Sequence, residues 1–207
     1  MKIKKLISAL VLGSMLVGLS GCNITDFSAE NLLRPPKAVG DEAEIEQLIA
    51  KTADSGYTLK YPKNGKFRSA IIMTDLDGND SNEAVAFFRN SAETSSVHML
   101  VMYSKDKSWK IASDNIFETT DIDSVDFADL TGNGKAEIIV NSTTYTPNVG
   151  KLSCYSYSEG KTNEVGSGQS CSSFVTGDFD NDGTSEIMSL VLYTTEKERQ
   201  CSCTLQH

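Results

Sequence analysis

The sequence predicts an all-β chain with one N-terminal helix, organised as a partial β-propeller-like repeat of about 2.5 blades. Three observations carry this. From Tyr57 onward, short β-branched and aromatic runs alternate with Gly, Asn and Asp turns. Only one segment after residue 40 has helical spacing. An acidic turn recurs three times, each time between two apolar runs.

The chain opens with Lys2, Lys4 and Lys5 before an apolar run from Leu6 to Leu19. That run is short and rich in small residues, the pattern of a secretory signal rather than a membrane span. It ends in Leu19-Ser20-Gly21-Cys22, which resembles the bacterial lipoprotein processing box. The resemblance implies cleavage after residue 21 and acyl chains on Cys22, an anchor at the extracytoplasmic face of the cell membrane. Losing three of 19 basic residues, with all 28 acids retained, moves the formal charge from −9 to −12. Such an acidic chain is a poor partner for nucleic acid or an anionic lipid surface, so attachment falls to the acyl chains.

Residues 22–40 hold Pro35-Pro36 and no periodicity, as expected of a stiff tether. Residues 41–56 read as the helix. Asp41 is placed to cap it, Glu44 stands at the capping-box position, Ile45, Leu48, Ile49 and Ala53 share a face, and Gly56 is the stop. Residues 57–207 form the repeat domain, with strand runs expected at 67–74, 83–89, 97–103, 108–112, 122–128, 136–142, 151–157, 161–165, 171–177 and 185–193.

The repeat units are SAIIMTDLDGNDSNEAVAFF, SVDFADLTGNGKAEIIV and SSFVTGDFDNDGTSEIMSLVL, within units near 67–113, 122–165 and 171–193. Their lead aspartates, Asp75, Asp129 and Asp178, are 54 and 49 residues apart, room for about four short strands per unit. Counting from the lead residue, position three is Asp77, Thr131 or Asp180. Position five is Asn79, Asn133 or Asp182, and position nine is Glu83, Glu137 or Glu186. Oxygen donors at alternate positions, a turn and a closing carboxylate suit a hard divalent cation, calcium before magnesium. Two carboxylates about 4 Å apart repel by roughly 1 kcal/mol in water and about 4 kcal/mol at an intermediate dielectric. A cation reverses that sign. The third loop is the most complete. Asp80 replaces glycine at position six of the first loop, and Thr131 weakens the second. These are not EF-hands, since position twelve is Ala86, Val140 or Ser189.

At these residues the chain resembles the FG-GAP/VCBS repeats of bacterial surface proteins and, more distantly, of integrin α propellers. With the signal, the Pro-Pro tether and YTLKYPKNGKFRSA, it is similar to repeat-containing lipoproteins of Gram-positive, clostridial type, up to about Tyr193. The resemblance implies calcium loops joining the first two strands of each blade, and no established enzymatic activity. It leaves a departure. Two blades and part of a third do not close a propeller of about four or more, and the text after Tyr193, TTEKERQCSCTLQH, lacks the strands due next. Either an open β-sheet stack or, in preference, a shortened form of a longer protein is expected, the latter with an exposed edge near Cys201.

Enzyme signatures are sparse. His98 lies in an alternating run and reads as one face of a strand, and His207 is terminal. No nucleophile elbow or phosphate loop occurs. Cys154, Cys171, Cys201 and Cys203 lack zinc spacing. Tyr103, Trp109, Tyr145, Tyr155 and Tyr157 read as packing between repeats, with an aromatic binding surface as the alternative. The expected function is a binding or structural module at the cell envelope, recognising protein or glycan. A glycan hydrolase, or an accessory subunit of one, is the alternative.

Overall fold

Helix α1 (Asp41–Ala53) forms where Ile45, Ile49 and Ala53 recur on one face, and all three are buried. The computed structural model describes residues 40–54, 56–146, 148–194 and 199–206. The expected signal segment, Cys22, most of the tether and His207 lie outside these residues. No helix among them is long and apolar enough to cross a membrane.

The start of α1 corrects one expectation. Gly40 occupies the N-cap position at φ 64° without a side-chain cap, and Asp41 is already helical. Glu44 does not close a capping box. Its carboxylate accepts the Trp109 N–H at 3.1 Å, tying the first turn to the sheet beneath. The helix ends at Ala53, three residues before Gly56, with Asp54 taking the left-handed conformation at φ 56°.

The described residues are mostly strand and form three separate antiparallel sheets, with no closed barrel among them. The first contains β1 (Tyr57–Leu59), β2 (Ile71–Thr74), β3 (Glu83–Asn90), β4 (Val97–Lys105) and β5 (Ser108–Phe117). Strands β1 and β2 pair with different stretches of β3, Phe88–Asn90 and Glu83–Ala86 respectively. The second sheet is the meander β6 (Ile122–Ala128), β7 (Glu137–Thr143), β8 (Gly150–Ser158) and β9 (Lys161–Cys171). The third is β10 (Ser173–Gly177), β11 (Glu186–Thr194) and β12 (Arg199–Gln206).

Strand β12 is the second correction. The segment after Tyr193 was expected to lack a strand, yet Arg199–Gln206 pairs with all of Ile187–Thr194. Charged flanks hide it in the sequence. Pairing with β11, a tertiary effect, decides its conformation.

Alternation along the strands builds the core in layers. Ala84, Ala86 and Phe88 of β3 turn towards α1, with Ile45 and Ile49 against them. Val85 and Phe87, one residue out of step, join Ile138, Val140, Tyr155 and Tyr157 of the second sheet. Ile139, on the opposite face of β7 from Ile138, packs with Leu152, Cys171 and Ile187, so the second sheet also has the third against it. Each fully buried Ile or Phe contributes about 1.5–3 kcal/mol. Val175 and Leu192 lie 55% and 43% exposed on the third sheet.

Candidate metal centre

Each acidic turn joins two neighbouring strands: β2 to β3, β6 to β7, and β10 to β11. All three fold onto one internal frame. The lead aspartate gathers backbone N–H groups. Asp75 accepts from Gly78, Asn79 and Asp80 at 2.8, 3.2 and 2.8 Å. Asp129 accepts from Thr131, Asn133 and Gly134 at 3.2, 3.1 and 2.7 Å. Asp178 accepts from Asp182 and Gly183, both at 3.0 Å. Position five then accepts the N–H of position seven: Asn79 from Ser81, Asn133 from Lys135 and Asp182 from Thr184, at 2.7, 2.8 and 2.8 Å.

The closing glutamate turns inward in every case. Glu83, Glu137 and Glu186 are only 3%, 2% and 1% exposed. Each accepts the N–H of position two, from Leu76, Leu130 and Phe179 respectively, at 2.9, 2.9 and 2.8 Å. A glutamate buried at a strand start is unfavourable unless its charge is compensated.

Backbone conformation explains the turn residues. Position six is left-handed throughout, at φ 64° for Asp80, 78° for Gly134 and 92° for Gly183. Asp80 therefore adopts the conformation that glycine adopts in the other two loops. Position four is left-handed as well, in Gly78, Gly132 and Asn181. The sequence reading overlooked that position, although its two glycines and one asparagine stand in register.

The loops also touch one another. Ala136 at position eight of the second donates to the Leu76 carbonyl of the first at 3.0 Å. Ser185, at the same position of the third, donates to the Asp129 carbonyl at 2.9 Å. Gly78 lies against Gly134, where an added Cβ would stand 2.6 Å from the Gly134 carbonyl oxygen. The three turns thus form a row along one end of the stacked sheets.

Electrostatics divides the first and second loops into two kinds of carboxyl. At Asp75, desolvation opposes ionisation, but the N–H groups of Asp80, Gly78 and Asn79 outweigh it and hold the carboxyl below its ordinary range. Desolvation is likewise overcome at Asp129, by Gly134, Asn133 and Thr131. Glu83 goes the other way. Burial pushes it up to about 7, with Asp77 and Asp75 adding to the rise against the Leu76 N–H. Burial raises Glu137 too, with Asp129 adding to it.

Asp178, Asp180, Asp182 and Glu186 each offer an oxygen within 4.8 Å of the others, and Asp75, Asp77 and Glu83 do the same. The Asp77 Oδ1 is buried without a hydrogen-bond partner among the described residues. A cavity of about 320 Å³ opens beside it, lined by Asp77, Asn79, Glu83, Tyr103 and Tyr157. An all-oxygen set with an orphaned buried oxygen has the chemistry of a hard-cation site. The second loop brings only Asp129 and Glu137 as carboxylates. Thr131 is exposed there and Lys135 follows Gly134.

No family model, curated protein or solved structure matches the chain. The site therefore rests on its own geometry.

Other expected residues resolve individually. His98 is a strand residue, buried, stacked on Phe88 at 4.8 Å and bonded through Nδ1 to Asp114 at 2.9 Å. Trp109, Tyr155 and Tyr157 are core residues and Tyr103 packs beside them. Tyr145 departs from the packing expectation, being 92% exposed. Cys154, Cys171 and Cys203 are free.

Proposed function

We propose that this chain is a lipid-anchored extracytoplasmic module whose β-propeller-like repeats are stabilised by calcium, and that it binds or organises components of the cell envelope. The observation that supports this most directly is the common frame of the three loops. Each pairs a lead aspartate wrapped by N–H groups with a buried closing glutamate. Unrelated hairpin turns have no reason to bury a glutamate at the same step three times.

On this reading each antiparallel sheet is one blade, and the FG-GAP/VCBS resemblance supplies the family. Asp178, Asp180, Asp182 and Glu186 hold one ion, with Asp75, Asp77, Asn79 and Glu83 forming a second site. Asp129, Thr131, Asn133 and Glu137 are the weakest set, because Thr131 contributes no charge and Lys135 stands two positions from Asn133. The ion neutralises the glutamates at the strand starts and braces the row of turns. Magnesium fits less well, as it demands a tighter octahedron and keeps more water. The membrane anchor rests on Cys22 alone.

Calorimetric titration of the EDTA-stripped protein tests the metal reading. Calcium should bind saturably and raise the melting temperature, with a smaller rise in Asp178→Ala/Asp180→Ala. Absence of heat and of a melting shift at millimolar calcium refutes it, that being the weak end for extracellular calcium modules at about 1 mM. Labelling with radioactive palmitate, lost in Cys22→Ala, tests the anchor.

A further inference from the structure

A second feature lies at the far end of the same strands from the acidic turns. The turns follow β6 and β10, whereas a cleft of about 500 Å³ opens where β6 and β8 begin and β7 ends. Its lining includes Asn64, Asp123, Asn141, Thr143, Thr144 and Asn148. With Thr120, Thr146 and Ser172 these are neutral amides and hydroxyls around one carboxylate, each able to donate, accept or do both, and Lys63, Val149, Gly150 and Leu192 complete the lining.

The cleft is a built site. Asp123 is its hub, accepting from Asn64 Nδ2 at 2.9 Å, from Ser124 Oγ at 3.1 Å and from Asn141 Nδ2 at 3.4 Å. Asn141 is 1% exposed, yet its Oδ1 has no partner among the described residues. That oxygen lies against the bare Cα of Gly150, where an added Cβ would stand 2.3 Å away. A buried acceptor without a donor is unfavourable, and the residue that carries it lines the cleft.

The β7–β8 loop, whose Thr144, Thr146 and Val149 line the cleft, also holds an aromatic residue. Thr144 donates to the Val149 carbonyl and accepts the Thr146 N–H at 3.2 Å, closing the β7–β8 loop on itself. Between these two threonines stands Tyr145, 92% exposed. Preformed polar groups lower the ordering cost of binding.

We propose that this cleft binds a neutral oligosaccharide, with the Asn, Asp and Thr side chains bonding its hydroxyls and Tyr145 covering a sugar face. A pyranose ring offers hydroxyls that both donate and accept, and a flat C–H surface. That combination matches this lining better than a peptide does, since a peptide needs a sheet edge or an apolar anchor pocket. Asp123 is the one carboxylate among the described lining residues. Glycoside hydrolysis uses two, so the cleft is arranged for binding without turnover. The assignment deepens the proposed binding module and rests on that reading, but it does not depend on the metal.

The test titrates the full, calcium-supplied chain with cellotetraose and chitotetraose, by calorimetry and by backbone amide shifts. Saturable binding is expected for at least one, with shifts confined to residues 63–64, 120–124 and 141–150. Tyr145→Ala and Asn64→Ala, both at exposed positions, should each weaken it at least about fivefold, the scale of an anchoring contact. Silence from both sugars up to about 10 mM, or binding undiminished in both variants, overturns the assignment. If the sugars are silent while calcium still raises the melting temperature, the cleft fails and the metal reading stands. Release of shorter sugars leaves the cleft assigned and overturns binding without turnover.

Discussion

Glu83→Gln separates the charge of the first loop's closing side chain from its hydrogen bond. Glutamine keeps a carbonyl oxygen for the Leu76 N–H, which Glu83 accepts at 2.9 Å. What it removes is a carboxylate that is 3% exposed and whose ionisation burial pushes from 4.5 to about 7. A folded value above the unfolded one means the group's stabilising effect is complete below about pH 4.5 and lost as pH rises through about 7. At pH 8 without calcium the ionised side chain therefore disfavours the fold, by up to about 3 kcal/mol at roughly 1.4 kcal/mol per unit of pKa. For a domain this size that corresponds to roughly 6–12 °C in melting temperature. Scanning calorimetry in EDTA should show Glu83→Gln melting above the wild type at pH 8, with the gap closing towards pH 4.5. In calcium the order should reverse, because a carboxylate binds the ion more strongly than an amide. A variant that melts lower than wild type in EDTA at pH 8 would show that the carboxylate is not under strain. Equal calcium-induced rises in the two proteins would remove Glu83 from the ligand set. Glu137, raised by burial in the same sense, gives Glu137→Gln the same sign in EDTA.

Gly78→Ala and Gly134→Ala share a left-handed φ, 72° and 78°, but differ in surroundings: the first Cβ meets a carbonyl at 2.6 Å and the second meets nothing within 4 Å. Chemical denaturation should find about 1–2 kcal/mol lost in Gly134→Ala and clearly more in Gly78→Ala, and equal losses would mean that the loops do not pack as described. Asp121 binds Lys60 and Lys63; although burial opposes ionisation, these ammonium groups hold its carboxyl below the ordinary range. Its stabilising effect is thus present at neutral pH and lost as pH falls through the folded value, so Asp121→Asn should be less stable than wild type at pH 6 and converge with it in acid. Ile49→Ala, at a fully buried position of α1, should cost about 2–5 kcal/mol in urea unfolding; a loss under about 1 kcal/mol would detach the helix from the first sheet.

Most strands were legible because apolar and β-branched residues recur along them and the turns between them are chemically marked, whereas β1 and the ends of β5 and β9 beyond residues 112 and 165 were not. β3, β7 and β11 each begin at the position-nine glutamate, so the spacing that revealed the loops also set the register of the strands. Where that spacing ran out, at Arg199–Gln206, the reading failed. RQCSCTLQ carries too little apolar signal alone, and its conformation comes from β11 beside it. The capping box failed for a similar reason, since Glu44 has a better use across the chain at Trp109.

The two candidate sites differ in the same way. A candidate metal loop is local: nine consecutive residues carry the lead aspartate, both left-handed positions and the closing glutamate, so a repeat of the text exposes it. The left-handed position four was overlooked although the repeat shows it, whereas the bonds from Ala136 to Leu76 and from Ser185 to Asp129 join loops about fifty residues apart and lie beyond any local reading. The cleft has no local text at all. Asn64, Asp123, Asn141 and Asn148 come from four segments, and each alone is an ordinary turn or strand-end residue. What sets Asn141 apart is an oxygen under Gly150 with no partner among the described residues, a property of packing that no spacing rule contains. The sequence could show where this fold puts charge, whereas the place where it leaves a hydrogen bond unmade is visible only in three dimensions.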